Sequence, residues 1–89
     1  MEFKWDQRKE AANQRKHSVG FREATTVFGD PLATTFPDVD HSISEQRFLT
    51  IGSSTNGHLI VVAHAESEEA IRIISARPAT ERRFYEETR

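Results

Sequence analysis

The sequence predicts an α+β fold: two N-terminal helices, a four-stranded antiparallel meander and one C-terminal helix. Three observations carry this. Apolar residues recur with a helical period as far as Phe28 and with a period of two from Leu32 onward. Thr55-Asn56-Gly57 separates two alternating runs, and Asn-Gly accepts the positive φ that a tight hairpin requires. Pro78 follows the last run, and proline suits the first position of a helix. Helices and strands kept apart in the chain pack as helices over one sheet face.

Taken in order, the first helix covers about residues 6–17. Asp6 can cap it, Gln7 to Ala12 are good helix formers, and Lys16 and His17 sit at its negative end. Ser18-Val19-Gly20 breaks the pattern. A second helix over about 21–28 puts Phe21, Ala24, Val27 and Phe28 on one stripe, and Gly29-Asp30-Pro31 stops it. Strands are expected over about 32–36, 45–53, 58–65 and 71–76. In the second, Glu45, Arg47, Leu49 and Ile51 share one face, Phe48 and Thr50 the other. Regular alternation along the fourth sends Arg72 and Arg77 to opposite faces and makes Arg72 the cross-strand neighbour of His64. The closing helix covers about 78–88.

Composition narrows the class of protein. The 89 residues are 36% hydrophobic and 29% charged, which suits one domain over residues 1–89. The absence of cysteine excludes disulfides, thiolate zinc sites and a cysteine nucleophile. The longest apolar run, Leu59 to Ala63, is far too short to span a membrane, and the first residues lack a signal-peptide core. A soluble, cytoplasmic protein is the expectation. A net charge of −2 argues against a DNA-coating protein. The charge is unevenly spread, however: residues 23–46 contain five acids and no Lys or Arg, while every cation after residue 46 is arginine. Arginine grips phosphate bidentately, so a local phosphate site needs no basic protein.

Few side chains stand out as chemical groups. His64 lies near a strand end on the Ile60/Val62 face. It reads either as a buried histidine satisfied by a neighbour or as a general acid or base at the sheet rim. Arg72 and Arg77 need counter-anions, which a carboxylate or a phosphodiester can supply equally well. Glu45 and Arg47 add a carboxylate and a third guanidinium, although such pairs are common on solvent faces. Helix C-capping alone accounts for Lys16, and Arg82, Arg83 and Tyr85 either reach the sheet or stay solvated. Asp38, Asp40 and His41 crowd one loop as metal ligands would, but an acidic turn between strands is the commoner cause. No phosphate-cradling glycine loop, GxSxG or HExxH is present.

Several segments together resemble a known family. They are Trp5-Asp6, the stretch from Asn13 to Phe21, Glu23-Ala24, Val27 to Pro31, Glu45 to Gly52, Val61 to His64, Ile71 to Thr80, and Tyr85. The sequence resembles BrnT, the toxin family of a type II toxin–antitoxin system. That resemblance implies a RelE-like fold and a metal-independent endoribonuclease, without cofactor or metal, that cuts RNA to arrest growth. It also implies a BrnA-like antitoxin as partner, in a complex with two copies of each chain, with no membrane and no direct DNA binding by this chain alone. In such an enzyme the RNA 2′-oxygen attacks the adjacent phosphorus. His64 or Glu45 would take the proton, and His64 could instead protonate the leaving 5′-oxygen. Arg72, Arg77 and Arg47 would hold the phosphate, and Lys16, Arg82, Arg83 and Tyr85 would contact RNA. The alternative is a non-catalytic module that uses the same sheet face to bind a protein, which the acidic segment and the two-sided apolar strands favour.

Overall fold

The structure, a computed structural model, describes residues 2–79. It corrects the expected architecture. In place of a four-stranded antiparallel meander with two helices before it and one after, the described residues form a five-stranded mixed sheet and two helices. The strands are β1 (Glu2–Lys4), β2 (Thr34–Pro37), β3 (Arg47–Ser53), β4 (Leu59–Glu66) and β5 (Ala70–Pro78), in spatial order β1-β5-β4-β3-β2. Helices α1 (Gln7–His17) and α2 (Phe21–Thr26) lie between β1 and β2, with short 3₁₀ turns at Val27–Gly29 and Val39–His41.

Two features separate this sheet from the expected RelE-like order. β1 pairs in parallel with β5, matching Phe3 to Ile71 and Lys4 to Arg72. A parallel neighbour requires a long crossover, which both helices and the rest of the sheet provide, so no local turn announces it. Burial fixes it: the Phe3 ring packs 5.4 Å from that of Phe28. The second feature is Pro78, which ends β5 opposite Ile60 rather than opening a helix. Ala79 N–H, not Pro78, donates to the Leu59 carbonyl at 2.9 Å, so the missing proline N–H falls on the free edge, where strands tolerate it. The rest of the helix expected over 78–88 lies outside the described residues.

Local chemistry explains the helices. The Asp6 carboxylate accepts from Arg8 N–H at 2.7 Å and Lys9 N–H at 3.3 Å, capping α1. Ser18 closes the helix with φ 61°, its N–H bonding the Gln14 carbonyl. Both helices cover one sheet face, and their shared core with the sheet includes Phe21, Ala24, Val27, Ile60, Val62, Ile71, Ile73 and Ala76. Buried Asn13 fastens α1 to β5. Its amide donates to the Ala76 and Val19 carbonyls at 2.7 and 2.9 Å, and its oxygen accepts from Ala76 N–H at 3.1 Å. Beyond Arg72, where β1 ends, this side chain acts as the missing strand partner of β5.

Candidate functional site

The two faces of the sheet differ in kind, and a single irregularity decides which residues share the open face, the one away from α1 and α2. Along β4, Ala63 pairs with Ser75 but His64 pairs with Ile73, so Ile74 is an extra residue bulging from β5. Because of that bulge, Arg72 lies opposite Ala65 and Arg77 opposite Val61, two β4 positions of the same parity. Both arginines therefore stand on the open face. The expectation that they point to opposite faces is corrected, as is the pairing of Arg72 with His64. A warning was legible: Ile71, Ile73, Ile74 and Ala76 break strict alternation.

On the open face, Arg47, Leu49, Ala63, Ile74, Ser75 and Arg77 line a cleft of about 240 Å³ together with Asp38 and His41. A second depression, of about 180 Å³, is lined by Lys4, Glu45, Glu66 and Arg72 among others. Glu45 joins the two. Its carboxylate accepts a hydrogen bond from Arg72 Nη2 and lies 3.8 Å from Arg47 Nη2. The Arg72 hydrogen bond, helped by both guanidinium charges, holds the Glu45 carboxyl below the usual carboxylate value. Arg47 Nε is buried and has no hydrogen-bond partner among the described residues.

The loop after β2 is stitched to Arg47. Asp38 N–H donates to the Arg47 carbonyl at 2.8 Å, and Ser42 Oγ accepts from Arg47 N–H at 2.9 Å while donating to the Asp38 carbonyl at 2.7 Å. These bonds set the 3₁₀ turn beside the cleft, where His41 Nδ1 lies 2.9 Å from Asp38 Oδ2. Sequence reading saw in Asp38, Asp40 and His41 only an acidic turn or a metal site. Among the described residues no three His, Asp or Glu side chains converge as metal ligands would. The signal for the pair that does form was the spacing Asp-x-x-His, one 3₁₀ turn.

His64 belongs to the other face. It is fully buried, edge-on to Phe28 at 4.9 Å and stacked with Phe48 at 5.9 Å. Its Nε2 lies 2.7 Å from Thr50 Oγ1, which in turn meets Thr35 Oγ1 at 2.7 Å. Its Nδ1 has no hydrogen-bond partner among the described residues and stands 3.4 Å from a Glu66 oxygen. Burial pushes the imidazole down to about 4, so it is neutral at pH 7. The structure thus gathers Glu45, Arg47, Arg72 and Arg77 and leaves His64 behind the sheet. Lys16 is exposed in the last turn of α1, on the helix layer. Arg82, Arg83 and Tyr85 lie outside the described residues. No described helix is long and apolar enough to cross a membrane.

Comparison with known proteins places the whole chain rather than its site residues. The family model for the ribonuclease toxin BrnT of type II toxin–antitoxin systems matches residues 5–83. The crystal structure of the Brucella abortus ribonuclease toxin BrnT is similar, with a TM-score of 0.70 and 26% sequence identity over 90% of this chain and 97% of that one. No curated protein matches.

Proposed function

Because this chain belongs to the BrnT family of ribonuclease toxins of type II toxin–antitoxin systems, we propose that its open sheet face cuts RNA without a metal ion. One observation carries the reading: the Ile74 bulge brings Arg72 and Arg77 onto the face that already presents Arg47. Self-cleavage of RNA by its 2′-oxygen builds negative charge on phosphorus, and three guanidiniums can stabilise that charge without a divalent cation. Arg47 and Arg77 share the cleft, so they take the phosphodiester, and Arg72 supports it from beside Glu45. A phosphate that draws Arg72 and Arg47 toward itself frees the ionised Glu45 carboxylate, which takes the 2′ proton. His64 acts from behind, as a packing group of β4.

A family of this kind has an antitoxin partner. We take it to be BrnA-like and to assemble as two copies of each chain. The loop beside the cleft supports a protein contact there. It exposes Val39 (78%) and Ile43 (92%) among Asp38, Asp40 and Glu45, so a basic, apolar segment seated on it would cover Arg47 and His41. Purified chain incubated with RNA in EDTA tests the catalytic reading: cleavage that persists and scales with protein is expected. A folded chain that never cuts RNA would leave the binding surface as its function. Co-expression with the neighbouring reading frame should relieve growth arrest, and light scattering of the mixed complex gives the stoichiometry.

A further inference from the structure

The structure holds a second proton-transfer group that the sequence offered only as part of an acidic turn or a metal site, and we propose that His41, oriented by Asp38, is the catalytic residue that protonates the leaving 5′-oxygen. The inference rests on the ribonuclease reading above and adds to it the acid that reading lacks. His41 and Asp38 line the same cleft as Arg47, Ser75 and Arg77. An ionised carboxylate can only accept, so Nδ1–H of His41 donates to Asp38 Oδ2 across their 2.9 Å contact. That bond fixes the ring and leaves Nε2 as the nitrogen available to a ligand. The His41 side chain is 66% exposed, whereas Asp38 is only 16% exposed, so the orienting group is held and the working group is reachable.

Placement supplies the division of labour. In-line attack puts the incoming 2′-oxygen and the departing 5′-oxygen on opposite sides of phosphorus, so the base and the acid must flank the phosphate. Arg47 is common to two such groups: Glu45 lies 3.8 Å from its guanidinium, and His41 lines the same cleft as Arg47. Glu45 is ionised and can only accept the 2′ proton. The 2′-oxygen then bonds to phosphorus, the P–O5′ bond breaks, and O5′ takes the Nε2 proton of a His41 that enters the reaction as the imidazolium, protonated on both nitrogens. The products are a 2′,3′-cyclic phosphate and a 5′-hydroxyl, with Glu45 protonated and His41 neutral; water resets both. The charged and titratable groups facing His41 in the cleft are Asp38, Arg47 and Arg77.

The test compares wild type, His41→Ala and Asp38→Asn on two RNAs, one ordinary and one with sulfur in place of the scissile 5′-oxygen. A thiolate leaves without being protonated, so that substrate does not need the acid. On ordinary RNA, His41→Ala should lower kcat by about 10²–10⁴-fold, and on the sulfur RNA it should come within about tenfold of wild type. Asp38→Asn should lose less, and its loss should also shrink on the sulfur RNA, which a merely structural role would not produce. Thermal melting should show both variants folded, since His41 is exposed and Asp38→Asn keeps the size of the half-buried side chain. Wild type active and His41→Ala equally active overturns the dyad alone, as does a deficit equally deep on both RNAs. A wild-type chain that cuts neither RNA overturns the ribonuclease reading and the dyad's role with it.

Discussion

His64 packs on the helix-covered face of the sheet and His41 lines the cleft on the other, and almost everything about their chemistry differs. His64 faces the helices, walled by Phe28 and Phe48, with one nitrogen on a threonine and the other unpaired among the described residues. His41 faces the cleft, paired with a carboxylate and within the same hollow as two arginines. One lies near the end of β4, the other in the 3₁₀ turn between β2 and β3. What separates them is the environment that strand parity and loop geometry impose. Full burial makes the His64 imidazole a neutral packing group even with a Glu66 oxygen 3.4 Å from its Nδ1, whereas a carboxylate partner beside solvent makes an imidazole usable in proton transfer.

The largest expected effect breaks the open face. Arg77→Ala should lower RNA cleavage by about 10²–10³-fold, or about 3–4 kcal/mol of transition-state stabilisation, and abolish toxicity. Arg77 is exposed at the end of β5, so melting should stay near wild type. Cleavage and melting measured on the same preparation separate the two effects, and unchanged cleavage would remove Arg77 from the site.

The next effect belongs to the helix-covered face and concerns stability alone. The His64 pKa is lower in the folded chain, about 4, than its ordinary value of 6.5. Between those values the unfolded chain binds more protons, so stability rises with pH across this window. The contribution is complete above about pH 6.5 and gone below about pH 4, a span of about 3 kcal/mol. Urea melts at pH 7 and pH 4.5 read it directly. His64→Gln should flatten the dependence and keep cleavage per folded molecule at pH 7. The Glu23 carboxyl, held below 4.5 chiefly by the Ser54 hydroxyl, also loses its stabilisation on acidification, but in a lower window.

A smaller effect links the two faces. Asn13→Ala strips the amide that completes β5 one residue before Arg77. It leaves the Ala76 N–H and carbonyl without their side-chain partner, at a cost of about 2 kcal/mol. The melting temperature should fall, and cleavage per folded molecule should fall with it if the position of Arg77 depends on that anchor. An unchanged melting curve would show that water replaces the amide without loss.

How much of this was legible follows from the range of each interaction. Local signals read correctly where they acted locally: Asp6 caps α1, and the turn between β3 and β4 falls at Asn56-Gly57, although only Gly57 takes a positive φ, 81°, where the pair suggested one at both residues. Long-range pairing was not readable, because a three-residue strand such as β1 owes its existence to Phe3 meeting Phe28 and Ile71. Pro78 has a legitimate place at a helix start and on a strand edge, and only the neighbouring strands decide between them. At the site, Glu45, Arg47, Arg72 and Arg77 stood out by residue type. One bulged residue reversed the expected parity of the two arginines on β5, and residue type alone could not rank His41 above His64.

The central claim is that ligand meets the open face and its His41, while His64 stays sealed behind the sheet. Titrating the chain with a 2′-O-methylated oligoribonucleotide, which cannot cleave itself, and following the imidazole NMR signals of both histidines tests it most directly. The His41 signals should shift to saturation while those of His64 hold still; a His64 signal that moves while His41 does not would contradict the account.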